Sequence, residues 1–114
     1  MTDLARPIAS YPSVAAWAEG LRRQWGGDPL AEDPEKLASL AAFCRFVGKD
    51  PDALLAFCFL RRRATGERFA SVQRREDLLA RLKEFEAASG LRGVVARRLR
   101  SHVLSFLSHN GVLI

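Results

Sequence analysis

Apolar residues recur along this chain at helical spacing, and turn residues separate five such stretches. The first runs from about Ser13 to Trp25, with Ser13 after Pro12 as a reasonable N-cap. Its apolar stripe consists of Val14, Trp17 and Leu21. We expect residues 1–30 to form an N-terminal arm with one amphipathic helix. Because the link from Gly26 to Asp33 is acidic and polar, two alternatives stay open: the helix is loosely attached, or it packs on the domain.

The second and third helices begin with the same Asp-Pro pair. Asp33 and then Asp50 stand as N-caps, each followed by a proline that suits the first helical position. Gly48 ends the second helix as a left-handed cap. The third helix, with the body ALLAFCFL, is apolar nearly all round, which predicts a central buried helix. Arg61–Arg63 follow, where cations complement the dipole of a helix C-terminus, and Thr65 and Gly66 make the next turn.

The fourth and fifth helices complete the pattern. The fourth begins between Phe69 and Ser71, runs to about Ser89 and stops at Gly90; the fifth runs from about Gly93 to His109. At 100° per residue, the fifth helix has an apolar sector made of Val95, Leu99, Val103, Phe106 and Leu107. The opposite side carries Arg97, Arg100, Ser101, Leu104 and Ser108. Strand signals are nearly absent, so we expect an all-α fold, a compact bundle of four to five helices with its main domain at residues 31–114.

Length and composition narrow the class of protein. A chain of 114 residues suits one domain with one core. The longest apolar run, Ala53 to Leu60, is far shorter than a bilayer span, and residues 1–10 contain no apolar signal-peptide core. We therefore expect a cytoplasmic protein with no membrane role. Cys44 and Cys58 lie in apolar helical stretches, and buried free thiols are favoured over a disulfide.

Catalytic chemistry finds little support in the sequence. His102 points along the apolar sector of the last helix, which favours a hydrogen-bonded or half-buried structural histidine. His109 lies next to the helix end, where a histidine commonly meets the last carbonyls. The two histidines and two cysteines show no zinc-ligand spacing. We expect a protein that is not an enzyme and has no catalytic residues, no metal and no cofactor.

Positive charge is concentrated in one part of the chain. The formal net charge is +5, but residues 1–59 carry six basic and eight acidic residues, a balance of −2. Residues 60–100 carry twelve basic and five acidic residues, a balance of +7, and eleven of the twelve are arginine. The flat guanidinium fork suits phosphate oxygens, so a polyanion such as nucleic acid is the first candidate partner. The alternative is that these arginines only solvate outward helix faces.

The last helix carries a resemblance to a known family. The segment GLRGVVARRLRSHVLSFLSHNGV, residues 90–112, resembles the final helix of the core-binding domain of tyrosine recombinases, the phage integrases. The matching positions are Ser101, Ser105, Phe106, Leu107, Asn110 and Gly111. Upstream, FCRFVGKDPDALL at residues 43–55 resembles the helix-turn-helix junction of related integrase N-terminal domains. The resemblance covers roughly residues 34–114.

The resemblance implies a SAM-like domain of two crossed helical hairpins that clamps one face of duplex DNA. Two positions depart from the family pattern: Val95 stands where the family usually has Thr, and Leu99 where it usually has Tyr. The Arg, His-x-x-Arg and Tyr constellation of the recombinase catalytic domain has no counterpart in this sequence. We therefore expect either an excised fragment or a stand-alone relative of the DNA-clamping domain.

Two hypotheses for function follow from these observations. The first is a non-catalytic DNA-binding domain, whose contacts are assigned to Arg61, Arg62, Arg63, Arg74, Arg75, Arg81, Arg97, Arg98, Arg100 and Ser101. The second is a helical protein-interaction module that binds a second copy or a partner recombinase chain. Its apolar contact residues would be Trp17, Leu21 and Trp25 of the first helix and the tail of Val112, Leu113 and Ile114.

Overall fold

Six α-helices and one short β-hairpin account for most of residues 4–113, the part of the chain that the computed structural model describes. In chain order they are α1 Pro12–Trp25, α2 Pro29–Glu32, α3 Glu35–Val47, α4 Pro51–Phe57, β1 Phe59–Arg61, β2 Arg68–Ala70, α5 Val72–Ser89 and α6 Gly93–His109. A single 3₁₀ turn, Ile8–Ser10, precedes α1. The mainly helical fold confirms the helical part of the prediction, while the SAM-like arrangement stays a prediction.

Side-chain caps and left-handed glycines set several helix ends where the sequence placed them. The Ala53 amide donates to Asp50 Oδ1 over 2.7 Å at the start of α4. Ser71 caps α5 in the same way through the Arg74 amide. Gly48 ends α3 with a φ of +72°, a conformation that side chains with a Cβ disfavour. α3 itself begins at Glu35, one residue later than predicted.

The start of α1 differs from the prediction. Its N-cap residue is Tyr11 and its first residue is Pro12, so Ser13 lies inside the helix and does not cap it. The Ser13 amide donates instead to Asp52 Oδ1 of α4, over 3.0 Å. This contact joins the first turn of α1 to the first turn of α4.

The β-hairpin corrects the expectation that the chain has no strands. β1 and β2 pair antiparallel, with Leu60 opposite Phe69. The hairpin is closed at its base by the Ser71 amide, which donates to the Cys58 carbonyl over 2.8 Å. α4 therefore ends at Phe57, and Arg61–Arg63 do not follow a helix C-terminus as predicted. Arg61 ends β1, and the next two arginines begin the turn.

The first helix is part of the core. Trp17 is completely buried and packs edge-on against Phe106 of α6, with 5.6 Å between ring centroids. Its Nε1 donates to Ser105 Oγ over 3.0 Å, and Val14 and Leu21 are buried beside it. Of the two alternatives for the first helix, the structure shows the packed one: residues 12–25 pack against the domain, because their apolar stripe is covered by α4 and α6.

The remaining core lies between α3, α4, α5 and α6. Its central side chains include Leu40, Phe43, Leu54, Leu82, Val103 and Phe106. Cys44 and Cys58 are buried free thiols, as predicted, and burial raises the pKa of Cys44 to about 12. Val95 was predicted to face the core but is 52% exposed, since it lies in the first turn of α6, at the margin of the packing with α3. Within residues 4–113, no helix combines the length and apolar character that a membrane span requires.

Candidate nucleic-acid interface

The outer face of α6 lines an open cavity of about 560 Å³, which we call the α6 groove. Its floor consists of Arg97, Arg100, Ser101, Leu104, Ser105 and Ser108. Gln24 at the end of α1, together with His109 and Leu113, forms the edges. None of these lining side chains is acidic, so the groove presents positive charge and hydroxyl groups to an incoming ligand.

Helical periodicity explains why these side chains share one face. Val103, Phe106 and Leu107 turn inward and are buried, which orients the opposite side of α6 outward. Arg97, Ser101, Leu104 and Ser108 follow one another at spacings of four, three and four residues. The sequence predicted this polar side of the last helix, and the structure confirms it.

The edge contributed by α1 was not predicted. A Cβ on Gly20 would lie 3.1 Å from the His109 imidazole, so the two helices approach closely at this point. That approach places Gln24, one turn further along α1, at the rim of the groove. A glycine inside a helix lowers stability by about 1 kcal/mol relative to alanine, so a glycine at such a position usually has a packing reason. Gly20 was therefore the signal in the sequence that could have indicated the close approach of another helix.

Two of the polar side chains that line the groove, Arg97 and Ser101, have no partner within the described residues. Among residues 4–113, no hydrogen bond, ion pair or aromatic contact engages the Arg97 guanidinium, and none engages the Ser101 hydroxyl. Positions four apart on a helix are neighbours on its surface. A cation and a hydroxyl donor therefore stand side by side with their hydrogen-bonding capacity unused.

Arg100, Ser105 and Ser108 of the groove make contacts within the fold. Arg100 Nε lies 3.3 Å from Glu86 Oε1 on α5, an ion pair without an aligned hydrogen bond, since that oxygen accepts none from residues 4–113. Ser105 Oγ accepts from Trp17, and Ser108 Oγ donates to the Ser105 carbonyl over 3.1 Å. These contacts fix the floor around Arg97.

The arginines at the start of α5 adjoin the groove. Arg75 Nη1 donates to the Leu113 carbonyl over 2.9 Å, and Leu113 is an edge of the groove. Arg75 Nε donates to the Ser71 carbonyl, at the base of the hairpin. Arg74 stacks over the Phe57 ring at 4.7 Å. Arg75 therefore joins the base of the hairpin to the edge of the groove.

Arg81 and Arg98 lie outside the groove. Arg81 pairs with Glu84 and stacks over Phe46 at 4.8 Å. Arg98 lies one residue, and so about 100°, around the helix from Arg97. Its Nη1 is 3.5 Å from Glu35 Oε2, and it borders a separate cavity between α3 and α6. Of the ten predicted contact residues, Arg97, Arg100 and Ser101 thus line the groove and Arg75 reaches its edge, while Arg81 and Arg98 lie outside it.

His102 of α6 forms a hydrogen bond with α3. It is 7% exposed, and its Nδ1 shares a hydrogen bond of 2.9 Å with Ser39 Oγ, which confirms a structural histidine. Burial, with the nearby charge of Lys36, lowers the pKa of His102. Its Nε2 is 4.0 Å from Asp33 Oδ2, and that oxygen is bonded to Lys36 Nζ at 2.9 Å, a contact that lowers the pKa of Asp33. The serine, histidine and aspartate thus do not form the short relay that nucleophilic catalysis uses.

Comparisons with protein-family models, with curated proteins and with solved structures find no match to this chain. The resemblance to tyrosine recombinase core-binding domains therefore stays a prediction from the sequence. Within residues 4–113, no group of three or more His, Cys, Asp or Glu side chains is arranged to hold a metal ion. Function is accordingly inferred from the α6 groove and the arginines that adjoin it.

Proposed function

We propose that this protein is a non-catalytic DNA-binding domain that holds the phosphates of a duplex in the α6 groove. The observation that carries the proposal is the unengaged Arg97 guanidinium beside the Ser101 hydroxyl, in a groove without a lining carboxylate. A guanidinium donates two parallel hydrogen bonds to phosphate oxygens, and a neighbouring hydroxyl adds a third donor.

Charge supports a polyanion as the ligand. Residues 60–100 carry a balance of +7, which includes Arg97 and Arg100 in the groove and Arg75 at its edge. Release of counterions from DNA phosphates makes such binding favourable and strongly dependent on salt. Contacts of this kind position a protein on the duplex without reading its sequence.

A pair of neighbouring arginines provides the test. Arg97→Ala removes the unengaged groove cation, while Arg98→Ala removes the same side chain one position along, outside the groove and beside Glu35. In fluorescence anisotropy with a labelled duplex at low salt, we expect Arg97→Ala to weaken binding about fivefold, the equivalent of about 1 kcal/mol. Arg98→Ala should change affinity less than twofold. Equal losses in the two variants, with both still folded by circular dichroism, would contradict the assignment to the groove.

A second candidate is the protein-interaction module, which one observation favours. Trp25 is 73% exposed and Leu113 is 68% exposed, an unusual exposure for large apolar side chains. Trp17, Leu21 and Val112, predicted to belong to the same contact surface, are buried in the core, and Ile114 lies outside the described residues. Sedimentation at increasing concentration, on the wild type and on Trp25→Ser, tests self-association through this surface. A monomer at every concentration would count against it.

A further inference from the structure

The β1–β2 hairpin carries a long exposed segment. Residues 60–68 are exposed without interruption. Arg68 stacks over Phe59 with its Cζ 3.7 Å from the ring centroid, and Arg62 stacks over Phe69 at 4.9 Å. From the pairing register, these two stacks lie on opposite faces of the hairpin. Each face is thus braced by one arginine that lies on one phenylalanine.

The turn of the hairpin is also closed by internal contacts. The Gly66 amide donates to the Arg62 carbonyl over 2.8 Å, and the Arg62 amide donates to the Glu67 carbonyl over 2.9 Å. Arg61 Nη1 donates to the Gly66 carbonyl over 2.9 Å. Three of the four hairpin arginines, Arg61, Arg62 and Arg68, therefore hold the ribbon together.

Arg63 is different from these three. It lies at the start of the exposed turn, and no hydrogen bond, ion pair or aromatic contact within residues 4–113 engages it. The hairpin thus carries one arginine whose hydrogen-bonding capacity is unused. Its base is joined to the groove, since Arg75 contacts both Ser71 and the Leu113 carbonyl.

We infer that this hairpin enters the major groove of the DNA and that Arg63 reads a guanine there. The inference rests on the proposed function, and it adds a base-reading element to the phosphate contacts of the α6 groove. Two strands lie roughly 5 Å apart, and a two-stranded ribbon fits the major groove, which is about 12 Å wide, whereas the minor groove is only about 6 Å wide. Within the major groove, guanine O6 and N7 accept the two parallel hydrogen bonds that an arginine donates.

The test compares three duplexes of equal length: one with G·C and A·T pairs, one with A·T pairs only, and one with 7-deazaguanine, which lacks the N7 acceptor. The wild type should bind the guanine duplex about tenfold more tightly than the other two. Arg63→Ala should bind all three duplexes alike. The matched control is Arg92→Ala, which removes another exposed arginine that no group in residues 4–113 engages, next to α6 rather than on the hairpin. This variant should keep the tenfold preference.

The possible results separate this inference from the proposed function. If the wild type binds the three duplexes equally, or if Arg63→Ala retains the preference, the hairpin does not read guanine, while binding through the α6 groove stands. If the preference for guanine is lost in Arg63→Ala and in Arg92→Ala alike, Arg63 is not the reading residue. If the wild type binds none of the duplexes in a salt-dependent way, the proposed function fails, and the inference built on it fails too.

Discussion

Replacement of Trp17 by alanine should remove a large part of the stability of this protein. The indole is completely buried, packs edge-on against Phe106 and donates to Ser105 Oγ, and so joins α1 to α6. A buried tryptophan or phenylalanine truncated to alanine costs about 3–5 kcal/mol, from lost burial and from the cavity left behind. The free energy of unfolding of a natural domain is roughly 5–15 kcal/mol in all, so this one change should remove about a fifth of it or more.

A double-mutant cycle measures how much of this loss is due to the hydrogen bond between Trp17 Nε1 and Ser105 Oγ. Ser105→Ala leaves the buried Nε1 of Trp17 without an acceptor, at a cost of about 1–3 kcal/mol. Trp17→Phe removes the donor, and the double variant removes both groups. We expect a coupling energy of about 1 kcal/mol between the two sites.

Urea unfolding followed by circular dichroism measures these free energies, since the signal does not depend on tryptophan fluorescence. Trp25→Ala is the control, because Trp25 is 73% exposed and its loss should cost less than about 0.5 kcal/mol. If Trp17→Ala costs no more than Trp25→Ala, then α1 does not pack on the domain, and the first helix is loosely attached, the alternative that the sequence left open.

Two further predictions concern a buried histidine and a helix cap. Because burial lowers the pKa of His102 from its usual value near 6.5, the unfolded chain binds a proton that the folded chain does not. The contribution of neutral His102 to stability is therefore complete above about pH 6.5 and declines as the pH falls below that value, by at most about 1.4 kcal/mol per pH unit. Urea unfolding of the wild type and of His102→Gln at several pH values measures how the free energy of unfolding depends on pH in each protein. Asp50→Ala should cost about 1 kcal/mol of unfolding free energy, because Asp50 Oδ1 caps α4. Asp28→Ala should cost less, because Asp28 stands at the start of α2 without a side-chain cap bond.

Local signals in the sequence were sufficient for most helix ends and for the polar side of α6. Asp50 and Ser71 cap helices through bonds that span three residues, and Gly48 and Gly90 adopt left-handed conformations that few other residues tolerate. The outward position of Arg97 and Ser101 follows from helical periodicity alone. Such features depend only on residues that are near in sequence, which is why they could be predicted from the sequence alone.

The hairpin and the packing of α1 depend on contacts that the sequence does not display. Strands of three residues are too short for an alternating pattern, so Phe59–Arg61 appeared as the end of an apolar helix. The contact between Trp17 and Ser105 joins residues 88 positions apart. Val95 is apolar at a core spacing, yet it lies in the first turn of α6, at the margin of the packing with α3, and stays exposed. Each difference arises from tertiary packing, which overrides a local pattern.

The salt dependence of wild-type binding to duplex DNA tests the central claim most directly. If Arg75, Arg97 and Arg100 neutralise one phosphate each, a plot of the logarithm of the association constant against the logarithm of the salt concentration should have a slope of about −3. Anisotropy titrations at several salt concentrations give that slope. A slope near zero, or no measurable binding at low salt, would contradict a phosphate-binding α6 groove.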